Sequence, residues 1–221
     1  MQFEYHPAKD AKASLSERLG QFPRNADLSW DGLRWLGSWF NFLFIRTQFR
    51  LSVQGNLPTA QKVAIVANHQ SHLDTATLLA ALPYPQRKQI SVLAAEDYFF
   101  KSTPKALLAS LLCQGIAFNR DSGFLSIRHW YESLKKIDKG WILFYPSGSR
   151  HETEIHTGLL KCLLKEKWTI LPAQLTGTDI AWPVHSKQWK PFSPIQVRFG
   201  IPYHGHDINA LVQHLEKELY L

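Results

Sequence analysis

The stretch Val63-Ala64-Ile65-Val66-Ala67-Asn68-His69-Gln70-Ser71-His72-Leu73-Asp74 decides how the rest of the chain is read. Five apolar residues in a row predict a buried strand, and the polar residues after them emerge at its C-terminal end. In an open α/β sheet that end is where ligands bind. His69, with the Asp74 carboxylate five residues on, has the makings of a base and its orienter. A neutral imidazole needs a partner to fix which nitrogen takes the proton. Activation of a hydroxyl group is the natural use of such a pair. Two other uses fit the same residues. His69, His72 and Asp74 form a metal-type cluster, although no HExxH signature or cysteine pair completes a site. Alternatively Ser71 or Asp74 caps a helix beginning near Leu73, and His69 is an ordinary loop residue.

Outward from this stretch, strands and helices alternate. Phe49-Arg50-Leu51-Ser52-Val53 alternates as a half-buried strand and is broken at Gly55-Asn56-Leu57-Pro58. After the Val63 to Ala67 strand, a helix through Ala76, Leu78, Leu79 and Leu82 stops at Pro83. A strand follows at Ile90 to Ala94, and Pro104 opens a helix through Leu107, Leu108, Leu111 and Leu112. A short apolar strand at Gly115 to Phe118 comes next. Ile127, Trp130, Tyr131 and Leu134 repeat at helical spacing before Gly140, and Trp141 to Tyr145 reads as another strand. A helix around Leu159 to Leu164 and strands at Thr169 to Leu171 and Ile195 to Phe199 precede a last helix. Asp207 caps that helix, with Ile208, Leu211, Val212, Leu215 and Leu219 inward. The pattern is α/β, with a mostly parallel central sheet flanked by helices and an amphipathic helical segment at the N-terminus. We divide it into a helical segment over residues 1–47 and a catalytic domain over 48–221.

The N-terminal segment has its own signal. From Trp35 to Ile45 eleven residues carry no charge, short of the roughly 18 to 20 that span a bilayer as a helix. After a cap at Ser29, only Arg34, Ser38 and Asn41 interrupt the apolar residues, as a narrow polar stripe. Such a helix either packs against the body of the protein or lies in a bilayer interface, with Arg34, Arg46 and Arg50 reaching headgroups. The chain's 221 residues carry a formal charge of +7, eight tryptophans and thirteen phenylalanines. That balance points to an anionic surface, a membrane or a nucleic acid. No nucleic-acid-binding motif accompanies the charge, so no nucleic-acid partner is expected. Cys113 and Cys162 lie in apolar contexts and read as buried thiols without a disulfide. The first residues lack the pattern of a secretory signal, which places the expected location in the cytoplasm, on a membrane's cytoplasmic face.

Two further stretches fall at strand ends. Gly115-Ile116-Ala117-Phe118-Asn119-Arg120 puts an arginine past a short strand, and Tyr145-Pro146-Ser147-Gly148-Ser149-Arg150 puts a second past another. Arginine's planar fork suits phosphate or carboxylate. The Gly-x-Ser-x-Gly elbow of serine hydrolases is absent. In order, Asn-His followed by Asp74, the strand ending in Arg120, the Pro-x-Gly-x-Arg loop and Leu171-Pro172 resemble the four blocks of the glycerolipid acyltransferase family, the superfamily of 1-acyl-glycerol-3-phosphate acyltransferases. The resemblance runs from about Phe49 to Pro202, with Leu175 to Asp179 and Val197 to Pro202 resembling the family's closing strands.

The resemblance implies a catalytic His69 and Asp74. It also implies an acceptor site drawn from Asn68, Ser71, Arg120, Ser147, Gly148, Ser149 and Arg150. By that mechanism His69 deprotonates a lipid hydroxyl, which attacks the thioester of acyl-CoA or an acyl-carrier protein. Neither metal nor cofactor is required, and the partners are a lipid acceptor, an acyl donor and a membrane surface. The departures from the pattern cluster on the acceptor side. Where the family reads Phe-Pro-Glu-Gly-Thr-Arg, Ser147 replaces the glutamate and Ser149 the threonine. The spacing from Gly115 to Arg120 is one residue shorter than usual, and Ala94-Ala95-Glu96-Asp97 lacks the family's lysine. Three functions follow: acylation of a lysophospholipid, the same chemistry on a neutral lipid alcohol, and a catalytically silent lipid-binding protein.

Overall fold

A computed structural model describes residues 31–95, 116–118, 131, 140–148 and 154–220. In chain order the elements are α1 (Asp31–Gln48), β1 (Arg50–Gln54), β2 (Lys62–Ala67), α2 (Asp74–Ala81), α3 (Tyr84–Gln89), β3 (Ile90–Ala95) and β4 (Ile116–Phe118). They continue with β5 (Gly140–Phe144), α4 (Thr157–Lys165), β6 (Thr169–Thr176), α5 (Thr178–Ala181), β7 (Pro194–Phe199) and α6 (Ile208–Tyr220). The expected helices near Leu107 and Ile127 lie outside the described residues.

The described strands form one seven-stranded sheet in the order β1-β7-β6-β2-β5-β3-β4. Every pairing is parallel except β6 with β7. Strand β2 is central, and all its residues after Lys62 are buried. An uninterrupted apolar run is what a strand covered on both faces needs. On one face Val63, Ile65 and Ala67 pack with Leu78 and Leu79 of α2 and with Leu82 just after it. On the other, Ala64 and Val66 pack with Leu160, Leu163 and Leu164 of α4 and Leu211, Leu215 and Leu219 of α6. Each fully buried aliphatic side chain of this kind contributes about 1.5–3 kcal/mol relative to exposure. The Asp207 carboxylate caps α6, accepting from the Asn209 N–H at 2.9 Å.

Crossovers from the two middle strands diverge. From β2 the chain passes through α2 and α3 to β3, beyond β5, while from β5 it passes through α4 to β6, beyond β2. This divergence makes the C-terminal ends of β2 and β5 a topological switch point, where a crevice opens. The register aligns Val66 with Phe144, so the residues leaving the two strands emerge side by side.

Two sequence expectations are corrected here. Strand β6 continues past Leu171-Pro172 to Thr176. Proline survives inside it because its nitrogen lies on the same strand edge as its carbonyl. That carbonyl accepts from the Gly200 N–H at 2.9 Å, just past the last residue of β7. Residues 177–179 are not strand; Gly177 turns the chain at φ +79° into α5. Cys162 is a free thiol but half-buried, and burial pushes its pKa up; Cys113 lies outside the described residues.

Helix α1 ends at Gln48, one residue beyond the expected division, and packs on the body of the sheet domain. Ile45 and Phe49 join Leu73 and Ala80 in a third apolar cluster. The polar stripe is not the outward face. Asn41 is buried and its Nδ2 donates to the Ala76 carbonyl at 3.0 Å. Trp35, Leu36, Phe40 and Leu43 are each more than half exposed. Arg87 of α3 holds the base of the helix, its guanidinium 4.5 Å from the Phe42 ring centroid and 5.5 Å from that of Trp39. Burial among these rings lowers its pKa.

Gly177 offers a test of the β6 turn. A Cβ there would lie 2.3 Å from the Pro194 carbonyl oxygen, in a left-handed backbone. Gly177→Ala is expected to destabilise the fold by roughly 1–3 kcal/mol, read as a lower urea midpoint at unchanged slope.

Candidate active site

After Ala67 the chain cannot continue as strand, because Asn68 turns inward to grip β6. Its Nδ2 donates to the Leu175 carbonyl at 2.9 Å and its Oδ1 accepts from the Leu175 N–H at 2.7 Å. This two-way clamp fixes where the turn begins. The turn then folds round one atom, Oδ2 of Asp74, in the first turn of α2. Oδ2 accepts from the backbone N–H of Gln70 at 2.6 Å and of Ser71 at 2.8 Å, and it lies 2.8 Å from His69 Nδ1. The Asp74 side chain is fully buried and that of His69 is 17% exposed. Asp74 Oδ1 is buried without a hydrogen-bond partner among the described residues.

Asp74 thus serves the turn and the imidazole with one oxygen. Asp74 does not cap its own helix in the usual way; it reaches back to satisfy the N–H groups of the turn and orients an imidazole with the same oxygen. With Nδ1–H directed at a carboxylate, Nε2 is the basic nitrogen. His72 points elsewhere, with Nε2 3.0 Å from the Val184 carbonyl oxygen. Among the described residues no three His, Cys, Asp or Glu side chains gather into a metal-type cluster.

From β5 comes a contact on the face of the imidazole. The Tyr145 ring stacks on His69 with centroids 4.1 Å apart and planes inclined by 17°. The Tyr145 hydroxyl lies 2.8 Å from Thr75 Oγ1, the residue after Asp74. Consecutive residues of α2 thus hold His69 from its edge and, through Tyr145, from its face. After Tyr145 a tight turn brings the Gly148 N–H to the Tyr145 carbonyl at 3.1 Å, and Gly148 takes φ +66°. Ser147 in this turn is buried. The His156 N–H, just before α4, donates to the Pro146 carbonyl at 3.0 Å and anchors the loop.

Of the expected site residues, the structure brings His69 and Asp74 together beside the loop of Ser147 and Gly148. Asn68 and Ser71, expected as substrate contacts, spend hydrogen bonds on the protein's own backbone. Both are buried, and Ser71 Oγ donates to the Trp182 carbonyl at 2.7 Å while accepting from the Leu73 N–H. Arg120, Ser149 and Arg150 lie outside the described residues. The contacts of Tyr145 with His69 and Thr75 were missed. The available signal was Tyr145's place, first after a strand; its neighbour at the site is set by strand order, which the sequence does not display.

A doubly wound sheet with a histidine–aspartate pair at its switch point is the framework of a hydrolase or a group transferase. The acyltransferase family model matches residues 48–176, more than half of the chain, and the chain belongs to that family. A 1-acyl-sn-glycerol-3-phosphate acyltransferase of Cocos nucifera is 24% identical over 174 residues, covering 71% of this chain and 51% of that protein. The chain thus spans about half the length of the curated relative it matches. In fold it is similar to the crystal structure of the 1-acyl-sn-glycerophosphate (LPA) acyltransferase PlsC of Thermotoga maritima. The TM-score is 0.62 at 18% identity, over 85% of this chain and 75% of that one.

The Asn68 clamp can be tested apart from any activity. Asn68→Ala would strand the N–H and C=O of Leu175 in the interior and is expected to cost roughly 1–3 kcal/mol of stability, measured by denaturant unfolding. Asn68→Asp, which accepts but cannot donate, should recover little of that loss.

Proposed function

We propose that the chain is a membrane-associated O-acyltransferase that moves a fatty acyl group from a thioester to a lipid hydroxyl. The observation that carries this reading is the His69 Nδ1 to Asp74 Oδ2 pairing at the switch point, within a chain of the acyltransferase family. His69 Nε2 takes the proton of the acceptor hydroxyl as its oxygen attacks the thioester carbonyl carbon. The tetrahedral adduct collapses with cleavage of the C–S bond, and the imidazolium returns its proton to the departing thiolate. The products are an ester and a free thiol. Asp74 holds the tautomer and stabilises the imidazolium. The Tyr145 face adds an electron-rich surface beside the transient cation. A thioester is activated already, so the scheme calls for no metal, cofactor or covalent acyl-enzyme.

The acceptor we favour is 1-acyl-glycerol-3-phosphate or another lysophospholipid, the substrate class in the names of both relatives. The donor is acyl-CoA or an acyl-carrier protein. The chain would work as a peripheral protein at the cytoplasmic face of a membrane, with the outward apolar face of α1 in the lipid boundary and Arg46 and Arg50 toward headgroups. Among the described residues no helix is long and apolar enough to cross a membrane.

Incubation of the purified chain with labelled acyl-CoA and a panel of lysophospholipids and neutral lipid alcohols tests the reading. A labelled phospholipid is expected, with turnover about 10²- to 10⁴-fold lower in His69→Ala. Near wild-type turnover in that variant, with folding intact, would refute the base assignment.

A neutral acceptor is the second reading, favoured by buried Ser147 where the family carries a glutamate. It separates from the first by Ser147→Glu. A new buried carboxylate is costly without a partner, so the substitution should depress acylation of a neutral alcohol and favour a glycerol phosphate. Efficient wild-type acylation of lysophosphatidic acid, weakened by Ser147→Glu, would exclude the neutral acceptor.

A further inference from the structure

The loop between α5 and β7, residues 182–193, lies beyond residue 176, where the family model ends. It displays aromatic side chains. Trp189 is 37% and Phe192 63% exposed, and Phe192 has φ +61°, a left-handed backbone that bulky residues seldom adopt. Such a ring is held outward although burying it elsewhere would be favourable.

The loop continues the apolar face of α1. The Phe192 N–H donates to the Gln48 carbonyl at 2.5 Å, and Trp189 Nε1–H to Gln48 Oε1 at 3.4 Å. The rings of Phe40, Phe44 and Trp189 follow one another at centroid distances of 6.4 and 5.5 Å. Around them Arg50, Lys187 and Lys190 are exposed. Between residues 178 and 193 the single acidic residue is Asp179. Tryptophan and phenylalanine bordered by lysine and arginine match the boundary between acyl chains and anionic headgroups. A protein partner would have to meet the same cations with acids and would not need the mixed, ring-rich face.

We propose that residues 182–193 form a second lipid-contacting element, which inserts Trp189 and Phe192 into an anionic bilayer beside α1. The proposal rests on the reading of the chain as an acyltransferase that draws its acceptor from a membrane. The loop is also bolted to the turn that carries His69. Ser71 Oγ donates to the Trp182 carbonyl, His72 contacts the Val184 carbonyl, and the Trp182 ring lies between those of His72 and Trp189, at 5.8 and 5.4 Å. Docking at the loop therefore sets the catalytic turn at the lipid surface.

The test is co-sedimentation of the full chain with vesicles of phosphatidylcholine, alone or mixed with phosphatidylglycerol. Trp189→Ser/Phe192→Ser is expected to weaken partitioning about tenfold. Turnover of a water-soluble short-chain acceptor should stay within about twofold of wild type. Because Trp189 packs on Phe44, Phe192→Ala serves as the milder variant, expected to weaken partitioning about threefold. Lys187→Glu/Lys190→Glu should lower binding only where phosphatidylglycerol is present. Unchanged partitioning of both aromatic variants overturns the proposal. So does a dimer in vesicle-free buffer that the same substitutions dissolve, since a second copy would then be the occupant. Loss of binding in Phe40→Ser/Leu43→Ser with full retention in the loop variants overturns the loop's role and leaves the acyltransferase reading intact. Failure of the wild type to acylate any acceptor overturns that reading, whereas the vesicle measurement still decides the loop.

Discussion

A buried carboxylate has to be paired, because an ionised group taken out of water without hydrogen bonds is too costly for a fold to carry. Asp74 meets that constraint with a single oxygen that receives two backbone N–H groups and the His69 ring. Much of the local architecture follows. The turn from Asn68 to Leu73 must curl tightly enough to bring two successive N–H groups to one point. Helix α2 must start where its first residue faces back toward β2, and the imidazole is left one orientation in which Nδ1 reaches the same point. Orientation of the base is therefore a consequence of satisfying a buried charge, and the two cannot be separated by mutation of Asp74 alone.

The clamp at Asn68 and the tie from Ser71 to Trp182 close this turn against the sheet on one side and against the α5–β7 loop on the other. Both side chains are polar, small and within two residues of His69, which is why the sequence reads them as substrate contacts. In the folded chain their hydrogen-bonding capacity meets backbone groups more than a hundred residues away. A motif shows which residues are constrained. It does not show whether the constraint is a ligand or the protein's own peptide groups.

Legibility followed the range of the interactions. The Val63 to Ala67 strand, the α/β alternation, the Asp207 cap and the pairing of His69 with Asp74 were readable because each depends on neighbours within a few residues. What was not readable depends on strand order. Tyr145 meets His69 because β5 returns to lie beside β2, with Val66 opposite Phe144. Pro172 sits inside β6 because the chain leaving β7 calls only on its carbonyl, through the Gly200 N–H. Helix α1 fails its pattern for a different reason. Its polar residue Asn41 is drawn inward by the Ala76 carbonyl, while Trp35, Leu36, Phe40 and Leu43 are turned outward. An amphipathic pattern shows which residues share a stripe, not which face of the helix the sheet covers.

The sequence departs from the family pattern by loss of charge at two places that the resemblance assigns to acceptor binding. Ser147 stands where a glutamate is usual, and Ala94 to Asp97 offers no lysine. Ser147 is buried, in a turn fixed by the left-handed Gly148 and by the bond from His156. A carboxylate in that position would need a cation or several donors to offset its desolvation, and a cation without the carboxylate would face the same cost in reverse. Removal of both charges avoids either imbalance. A serine also leaves a hydroxyl that both donates and accepts, which suits an uncharged polar acceptor as readily as the glycerol hydroxyls of a phospholipid. The two departures are therefore physically consistent with each other. Neither touches the turn in which His69, Asp74 and the backbone N–H groups of Gln70 and Ser71 meet.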